Sequence, residues 1–540
     1  MIRYFYADDR LLYAKLDIPD SPLEFWDTIR CIGPDSVERL GLMIGKEKLP
    51  TPNIYLDDIK KSPDWYCEKH NNFQCPECYN IQDSAITRES FLLLSQTLEH
   101  LGGKVYKTIA STSINLWRQY VGRKVDISLP KILDPLCREA YYGGRTEVFT
   151  YGEVLGLNQY DVNSLYPSVM RDELYPDMSR LEAREDIKYI RELKGMYGVA
   201  NVDVYVPEMH IPPLPFRLNG KLVFPCGDFT GTYTIHELFN AMRFGVKVKR
   251  VHWAVYSDKA WRPFKDFIED LYAERLKFKE LNNPMEQVVK RIMNSSYGKY
   301  GQRLGGTIGW LVPLNEHHME HLEDYPCRYT FGDIYWVQED LEQTRSPFYL
   351  NVLWAAYITS YARMTLYDWF EKCDFDVHYC DTDSVYTSKE LPTSKELGAM
   401  KLEGSNLRAV FLAPKFYKVT QPDGIEKYAI KGAPAPLMVA YFTGKPIEFR
   451  VPVKIKLGIR NGEVPGSWKS ITRQFHHEFD KRRLDPRFTK GLTGNCTTSP
   501  LLLVNGIPED ESDCRTESMF DLEFSPSDII RSFNSALSTE

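Results

Sequence analysis

At 540 residues the chain is too long for a single core, and a prior of about 150 residues per domain points to three or four. Its 43% hydrophobic and 26% charged residues are those of a globular protein; no run is long enough to span a bilayer, and residues 1–6, followed at once by Asp8, Asp9 and Arg10, are no secretory signal. The net charge of −7 is uneven, with nine acids against two bases in residues 504–540 but fourteen bases against seven acids in residues 241–303, so a local phosphate-binding channel stays open.

Residues 1–30 alternate aromatic, aliphatic and charged positions and predict a strand hairpin. Residues 35–45 predict a short helix, with Asp35 or Ser36 as N-cap and Gly45 as its stop. Cys67-x2-His70-x4-Cys75-x2-Cys78 then places four soft or borderline ligands in twelve residues. Such a set suits either a structural Zn²⁺ or ordinary buried thiols. The eleven cysteines as a whole fit a reducing compartment better than a disulfide framework. Residues 83–101 carry apolar positions at helical spacing. In Tyr141-Tyr142-Gly143-Gly144-Arg145 a glycine pair can bring backbone N–H groups close to phosphate, or can form a plain turn.

Residues 157–163 predict a strand ending at Asp161, whose carboxylate is left at an open edge by the turn through Pro167. Residues 173–260 predict short strands and turns, and residues 263–280 a helix bearing Arg275, Lys277 and Lys279. The segment 284–298 predicts a helix with Pro284 at its first position and Gly298 as its stop. On it Lys290, Asn294 and Tyr297 share one face. Residues 377–386 predict a hairpin with Asp381 and Asp383 at its tip. In extended backbone residues i and i+2 share a face, so these two carboxylates are expected to converge and to suit a hard cation such as Mg²⁺. A solvated turn is the alternative.

Taken in order, Asp161-x3-Leu165-Tyr166-Pro167-Ser168, Lys290-x3-Asn294-Ser295-x-Tyr297-Gly298 and Tyr379-x-Asp381-Thr382-Asp383-Ser384 resemble motifs A, B and C of the family B DNA polymerases. Tyr141-x-Gly143-Gly144 and Lys415-Phe416-Tyr417 resemble elements of the protein-primed branch of bacteriophages, other viruses and linear plasmids. The resemblance covers residues 30–450 and implies an α+β right hand, in which a palm with an antiparallel sheet, helical fingers and a thumb lie behind a partial RNase H-like exonuclease domain. It divides the chain into a truncated exonuclease-like domain (1–110), palm (111–172 and 347–445), fingers (261–303), thumb (446–490) and an acidic, disordered tail (491–540). The segments 173–260 and 304–346 take the positions of the branch's two insertions, for priming-protein contact and for strand displacement or processivity.

The implied activity is template-directed DNA synthesis from dNTPs on primer–template DNA, with two Mg²⁺ ions (Mn²⁺ as substitute), inside the host cell of a virus or mobile element, with a terminal priming protein and no membrane as partner. Asp161, Asp381 and Asp383 would be catalytic, with Asp161, Asp383 and the Val162 carbonyl holding the metals. Leu165, Tyr166, Arg275, Lys279 (or Lys277), Lys290, Asn294, Tyr297 and Gly298 would bind the nucleotide, Tyr166 excluding a 2′-OH. Tyr141, Gly143, Gly144, Ser164, Lys415 and Tyr417 would bind DNA. In the thumb, Arg473 and Lys481-Arg482-Arg483 supply cations for backbone contacts or a solvated basic face.

Tyr79-x3-Asp83 resembles the last exonuclease motif, but none of the preceding residues gives the Asp-x-Glu of the first; Asp8-Asp9 has the wrong spacing. The chain is therefore expected to begin inside the exonuclease fold and to lack proofreading. Two rival readings stand beside the polymerase. A reverse transcriptase has adjacent acids, whereas Thr382 separates these, and an inactive DNA- or partner-binding remnant is opposed by the intact acid triad.

Overall fold

The computed structural model describes residues 2–7, 10–16, 23–33, 36–53, 64–122, 125, 127–303, 307–313, 327–331, 334–340, 347–433, 437–442, 446–453, 458, 461–464, 467–474, 480–484, 495–509 and 525–537. Its centre is an antiparallel sheet of β1 (Thr146–Val148), β2 (Thr150–Val162), β3 (Tyr379–Asp381), β4 (Ser384–Thr387), β5 (Met400–Ala413), β6 (Phe416–Thr420) and β7 (Glu426–Ile430). The order across the sheet is β7-β6-β5-β2-β4-β3-β1. Long-range pairing thus brings β2 between two strands that lie more than two hundred residues later in the chain. One face of the sheet buries Tyr379, Tyr386, Leu407 and Phe411; the other joins the main core.

That core is helical. The longer helices and those around the site are α1 (Val37–Ile44), α2 (Pro76–His100), α3 (Ile109–Val121), α4 (Leu165–Asp172), α5 (Ile235–Arg243), α6 (Lys265–Glu280), α7 (Met285–Ser295), α8 (Tyr297–Tyr300), α9 (Val352–Lys372) and α10 (Pro526–Leu537). Helix α9 is apolar nearly all round, as a fully enclosed helix must be, and Asn351 caps it by accepting from the Trp354 N–H at 3.0 Å. In α1 the cap is Ser36, with Gly45 left-handed at the end; Asp35 lies outside the described residues.

Several expectations need correction. Helix α2 begins at Pro76 rather than residue 83, because Pro76 occupies its first turn and Cys75 its N-cap. Gly298 does not stop the fingers helix. The chain bends at Ser296 and continues through Gly298 to Tyr300, so Tyr297 opens α8 while Lys290 and Asn294 sit on α7. Pro284 precedes α7 as its N-cap. Residues 173–260 hold more than the short strands expected: Tyr197–Val206, Cys226–Thr234 and Lys247–Ser257 are long and build a second large sheet with a core of its own.

The N-terminal strands Ile2–Ala7, Arg10–Leu16 and Leu23–Trp26 belong with the segment 304–346, since Ile2–Ala7 pairs with Thr307–Pro313 in one six-stranded sheet. Asp8 and Asp9 lie outside the described residues. The tail is not disordered throughout. Asn495–Thr497 pairs with β2, Leu502–Val504 extends the second sheet in parallel with Cys226–Thr234, and α10 buries Ile529, Ile530 and Phe533. Its acidic stretch 510–524 lies outside the described residues. The basic run 481–483 is no solvated face either, because Arg482 is 2% exposed.

Candidate active site

Antiparallel pairing sets Asp161, at the end of β2, directly opposite Ser384 of β4. The next N–H, that of Val162, donates to the Asp383 carbonyl at 2.8 Å. The Asp161 and Asp383 carboxylates therefore lie within electrostatic reach of each other. Burial, then the charge of Asp383, pushes the Asp161 carboxyl up to about 7. Burial and the charge of Asp381 raise Asp383 as well, while its own backbone N–H, Lys290 and Lys415 pull the other way. Lys290 of α7 also opposes the shift of Asp161, so its ammonium faces both acids.

Asp381 lies within electrostatic reach of Asp383, but its carboxylate is engaged elsewhere. Thr382 between them is left-handed (φ 63°), and the i, i+2 rule holds only for extended backbone. Asp381 instead turns to Lys415, whose Nζ donates to both carboxylate oxygens at 2.7 Å, and to the Thr146 hydroxyl, which donates at 2.9 Å. Asp161 and Asp383, both half-buried and each raised by a neighbouring carboxylate, could hold a hard cation, since a divalent ion would remove both penalties.

Above the acids, the rings of Tyr166 (α4) and Tyr297 (α8) stack with centroids 4.5 Å apart. Ser164, left-handed at φ 54°, turns the chain from β2 into α4, which starts at Leu165 and carries Tyr166 in its first turn. Asn294 donates to the Lys290 carbonyl at 2.9 Å, so its amide is spent partly on its own helix. Arg275 is held in an ion pair with Glu286 at 2.8 Å and touches the Ser164 hydroxyl at 3.2 Å. Lys277 pairs with Glu274 at 2.8 Å, and Lys279 and Gly298 are exposed.

Gly144 passes so close to the acidic turn that an added Cβ would lie 2.9 Å from Thr382 Cγ2 and 3.0 Å from the Tyr166 hydroxyl oxygen. Gly143 is exposed, with open space where a Cβ would be, and the Tyr141 ring packs on Gly301. Tyr417 packs its ring on Tyr379 at 4.9 Å, and the Tyr379 hydroxyl accepts from the Lys415 N–H at 3.0 Å.

Sequence reasoning missed the supports beneath these groups. Arg363 of α9 donates to the carbonyls of Tyr142 and Gly143 at 3.0 Å and forks onto Glu237 of α5 at 2.7 Å through both oxygens. Glu147, fully buried on β1, pairs with Arg145 and lies 3.5 Å from Arg482. No local pattern marks either set, because each joins residues far apart in the chain.

Away from this centre, Tyr79 and Asp83 share the first turns of α2. Lys48 donates to the Tyr79 hydroxyl at 2.8 Å and lies 3.4 Å from Asp83. Cys67, His70, Cys75 and Cys78 do come together, with all four ligand atoms within 4.8 Å of one another.

A family model described as DNA polymerase type B, organellar and viral, matches residues 38–327, more than half of the chain. The chain belongs to this family. Curated relatives of the type B polymerases agree. A probable DNA polymerase of Ascobolus immersus is 28% identical over 391 residues, 68% of this chain and 31% of that sequence. The DNA-directed DNA polymerase of Enterobacteria phage PRD1 is 27% identical over 60% of this chain and 57% of its own length. The chain thus spans 31% and 57% of the length of these two relatives. Among solved structures, phi29 DNA polymerase complexed with primer–template DNA and incoming nucleotide shares the fold, with a TM-score of 0.64 at 20% identity, covering 87% of this chain and 83% of that one. The α+β right hand is therefore the architecture, and the family's members are metal-dependent enzymes. Among the described residues no helix is long and apolar enough to cross a membrane.

Proposed function

We propose that the chain copies a DNA template by adding dNTPs to a primer 3′-OH, with Asp161 and Asp383 holding two Mg²⁺ ions that Mn²⁺ can replace. The observation that carries this reading is the opposition of these two acids across β2 and the β3–β4 turn, each raised by burial and by a neighbouring carboxylate, with Lys290 facing both. When bound, such ions activate the attacking oxygen and neutralise the leaving pyrophosphate. Lys290 then meets the triphosphate, and the stacked Tyr166 and Tyr297 form the floor against which the sugar and nascent base pair rest. Lys415 holds Asp381 beside the primer end and offsets part of its repulsion of Asp383. The Gly143 backbone, open on its outer side, faces the template strand.

Primer extension with purified protein and Mg²⁺ tests the reading. Asp161→Ala and Asp383→Ala should each abolish extension while leaving primer–template binding within a few-fold, because affinity comes mostly from phosphate contacts. Wild-type-like synthesis by either variant refutes it.

The phage PRD1 relative and that of Acidianus bottle-shaped virus support a virus or mobile element as the source, acting inside its host cell. The Tyr141-x-Gly143-Gly144 and Lys415-x-Tyr417 elements support a terminal protein as primer, with the 173–260 region as its contact. The same reading assigns no proofreading to this chain. Lys48 donates to the Tyr79 hydroxyl at 2.8 Å and lies 3.4 Å from Asp83, so an ammonium stands where a catalytic metal would have to sit. A 3′-mismatched strand should survive in Mg²⁺ or Mn²⁺, and Asp83→Ala should change nothing; degradation that Asp83→Ala removes overturns the assignment.

A further inference from the structure

The geometry points to a Zn²⁺ centre held by Cys67, His70, Cys75 and Cys78, independent of the polymerase site. The Sγ atoms of Cys67, Cys75 and Cys78 lie 3.7, 3.3 and 3.2 Å from one atom, His70 Nδ1. Cys67 Sγ and Cys78 Sγ are 3.4 Å apart, too far for a disulfide and close for two unbonded thiols. A single ring nitrogen carries one proton or one lone pair, so hydrogen bonding cannot account for three sulfurs converging on it. Tetrahedral zinc does. Zn–S near 2.3 Å and Zn–N near 2.0–2.1 Å put ligand atoms about 3.6–3.8 Å apart, the scale of the separations seen. The far side of the imidazole, Nε2, faces Glu77 at 3.7 Å, where a carboxylate orients a metal-bound histidine.

The backbone is shaped for the same purpose. Tyr66–Cys67 and Asn72–Phe73 form a hairpin of two residues per strand, followed at once by α2. Cys67 lies in the hairpin and His70 in its turn, while Cys75 is the N-cap of α2 and Cys78 lies in its first turn. Asn71 and Gln74 both take left-handed backbone (φ 47°), folding the hairpin back onto the helix start. So short a hairpin has no stability of its own, and its paired aromatics supply no core, since Tyr66 is 47% and Phe73 66% exposed. The buried groups here are Cys67, Cys75 and Gln74, with Cys78 and His70 half-buried. A metal supplies the missing core.

Elemental analysis of the full chain, purified under reducing conditions, tests this without reference to activity. The expected result is about one zinc per chain, replaceable by Co²⁺ with the visible absorption of tetrahedral thiolate cobalt. Cys75→Ser and His70→Ala should lower the zinc content at least about fivefold, whereas His70→Cys, which restores a fourth soft ligand, and Cys137→Ser, which removes a buried thiol elsewhere, should retain it. Should a variant fail to fold, titrating wild-type protein with a thiol-blocking mercurial and measuring released zinc gives the same count. A chain that holds no zinc and takes up no cobalt, a zinc content indifferent to Cys75→Ser, or a Cys67–Cys78 disulfide in freshly isolated protein would each overturn the proposal.

Discussion

Gly144→Ala probes the contact on which the whole site is stacked. The new methyl would meet Thr382 Cγ2 at 2.9 Å, Thr382 Oγ1 at 3.0 Å and the Tyr166 hydroxyl at 3.0 Å, against about 3.5–4.0 Å for relaxed carbon contacts. Neither neighbour can retreat freely. Thr382 is fixed in a left-handed turn whose N–H donates to the Arg145 carbonyl at 2.7 Å, and Tyr166 is stacked on Tyr297. The strain should cost about 1–3 kcal/mol of stability, as overpacking does. Relief by shifting Thr382 would carry Asp383, its chain neighbour, away from Asp161. A misplacement of about 1 Å at reacting groups costs roughly a hundredfold, so kcat for primer extension should fall about 10- to 100-fold. Gly143→Ala, whose methyl meets nothing within 4 Å, should leave the melting temperature unchanged. Steady-state extension and thermal melting of the two variants decide the matter; a Gly144→Ala enzyme with wild-type kcat and stability refutes the reasoning.

Because burial and Asp383 raise the Asp161 carboxyl to about 7, the metal-free protein gains from its protonation at low pH and loses that stabilisation as pH rises through about 7. Added Mg²⁺ should therefore raise the melting temperature more at pH 8 than at pH 6, and Asp161→Asn should remove the difference; equal Mg²⁺ effects at both pH values count against the pair. Tyr166→Val should raise ribonucleotide use at least about tenfold in single-nucleotide extension, because the ring's bulk is what a 2′-OH would meet. If dNTP preference is unchanged, Tyr166 is not the gate. Arg482→Met leaves Glu147, which is fully buried, with Arg145 as its remaining ionic partner, and removing one member of such a buried pair costs about 3–5 kcal/mol. A denaturation midpoint unmoved in this variant would show that the cluster is not stabilising.

The chemistry was legible where it is compressed into short stretches. Asp161, Lys290 and the Asp381–Asp383 hairpin stand out because strand ends, helix faces and turn residues are set by neighbours a few positions away. What escaped was the direction of each carboxylate. A left-handed Thr382 breaks i, i+2 alternation, and nothing in Asp-Thr-Asp marks it, so the sequence does not show Asp381 turned to Lys415. Basic Lys481-Arg482-Arg483 reads as surface until Glu147, more than three hundred residues earlier, is found beneath it. Likewise the pairing of Ile2–Ala7 with Thr307–Pro313 has no local signal, since strand register is fixed by the partner. The alternation Val202, Val204, Val206, by contrast, is a local signal of the long strand Tyr197–Val206.

Groups far along the chain support the acidic turn: Arg482 approaches Glu147, Thr498 donates to the Val148 and Phe149 carbonyls, and Leu502–Leu503 extends the second sheet. A growing chain that has emerged only as far as residue 480 holds every metal ligand and nucleotide contact, yet β1 lacks its underside and Glu147 has a single counter-charge. Assembly of the catalytic floor thereby waits on Arg482 and Thr498, so the parts of the site leave the ribosome before the groups that lock them in place.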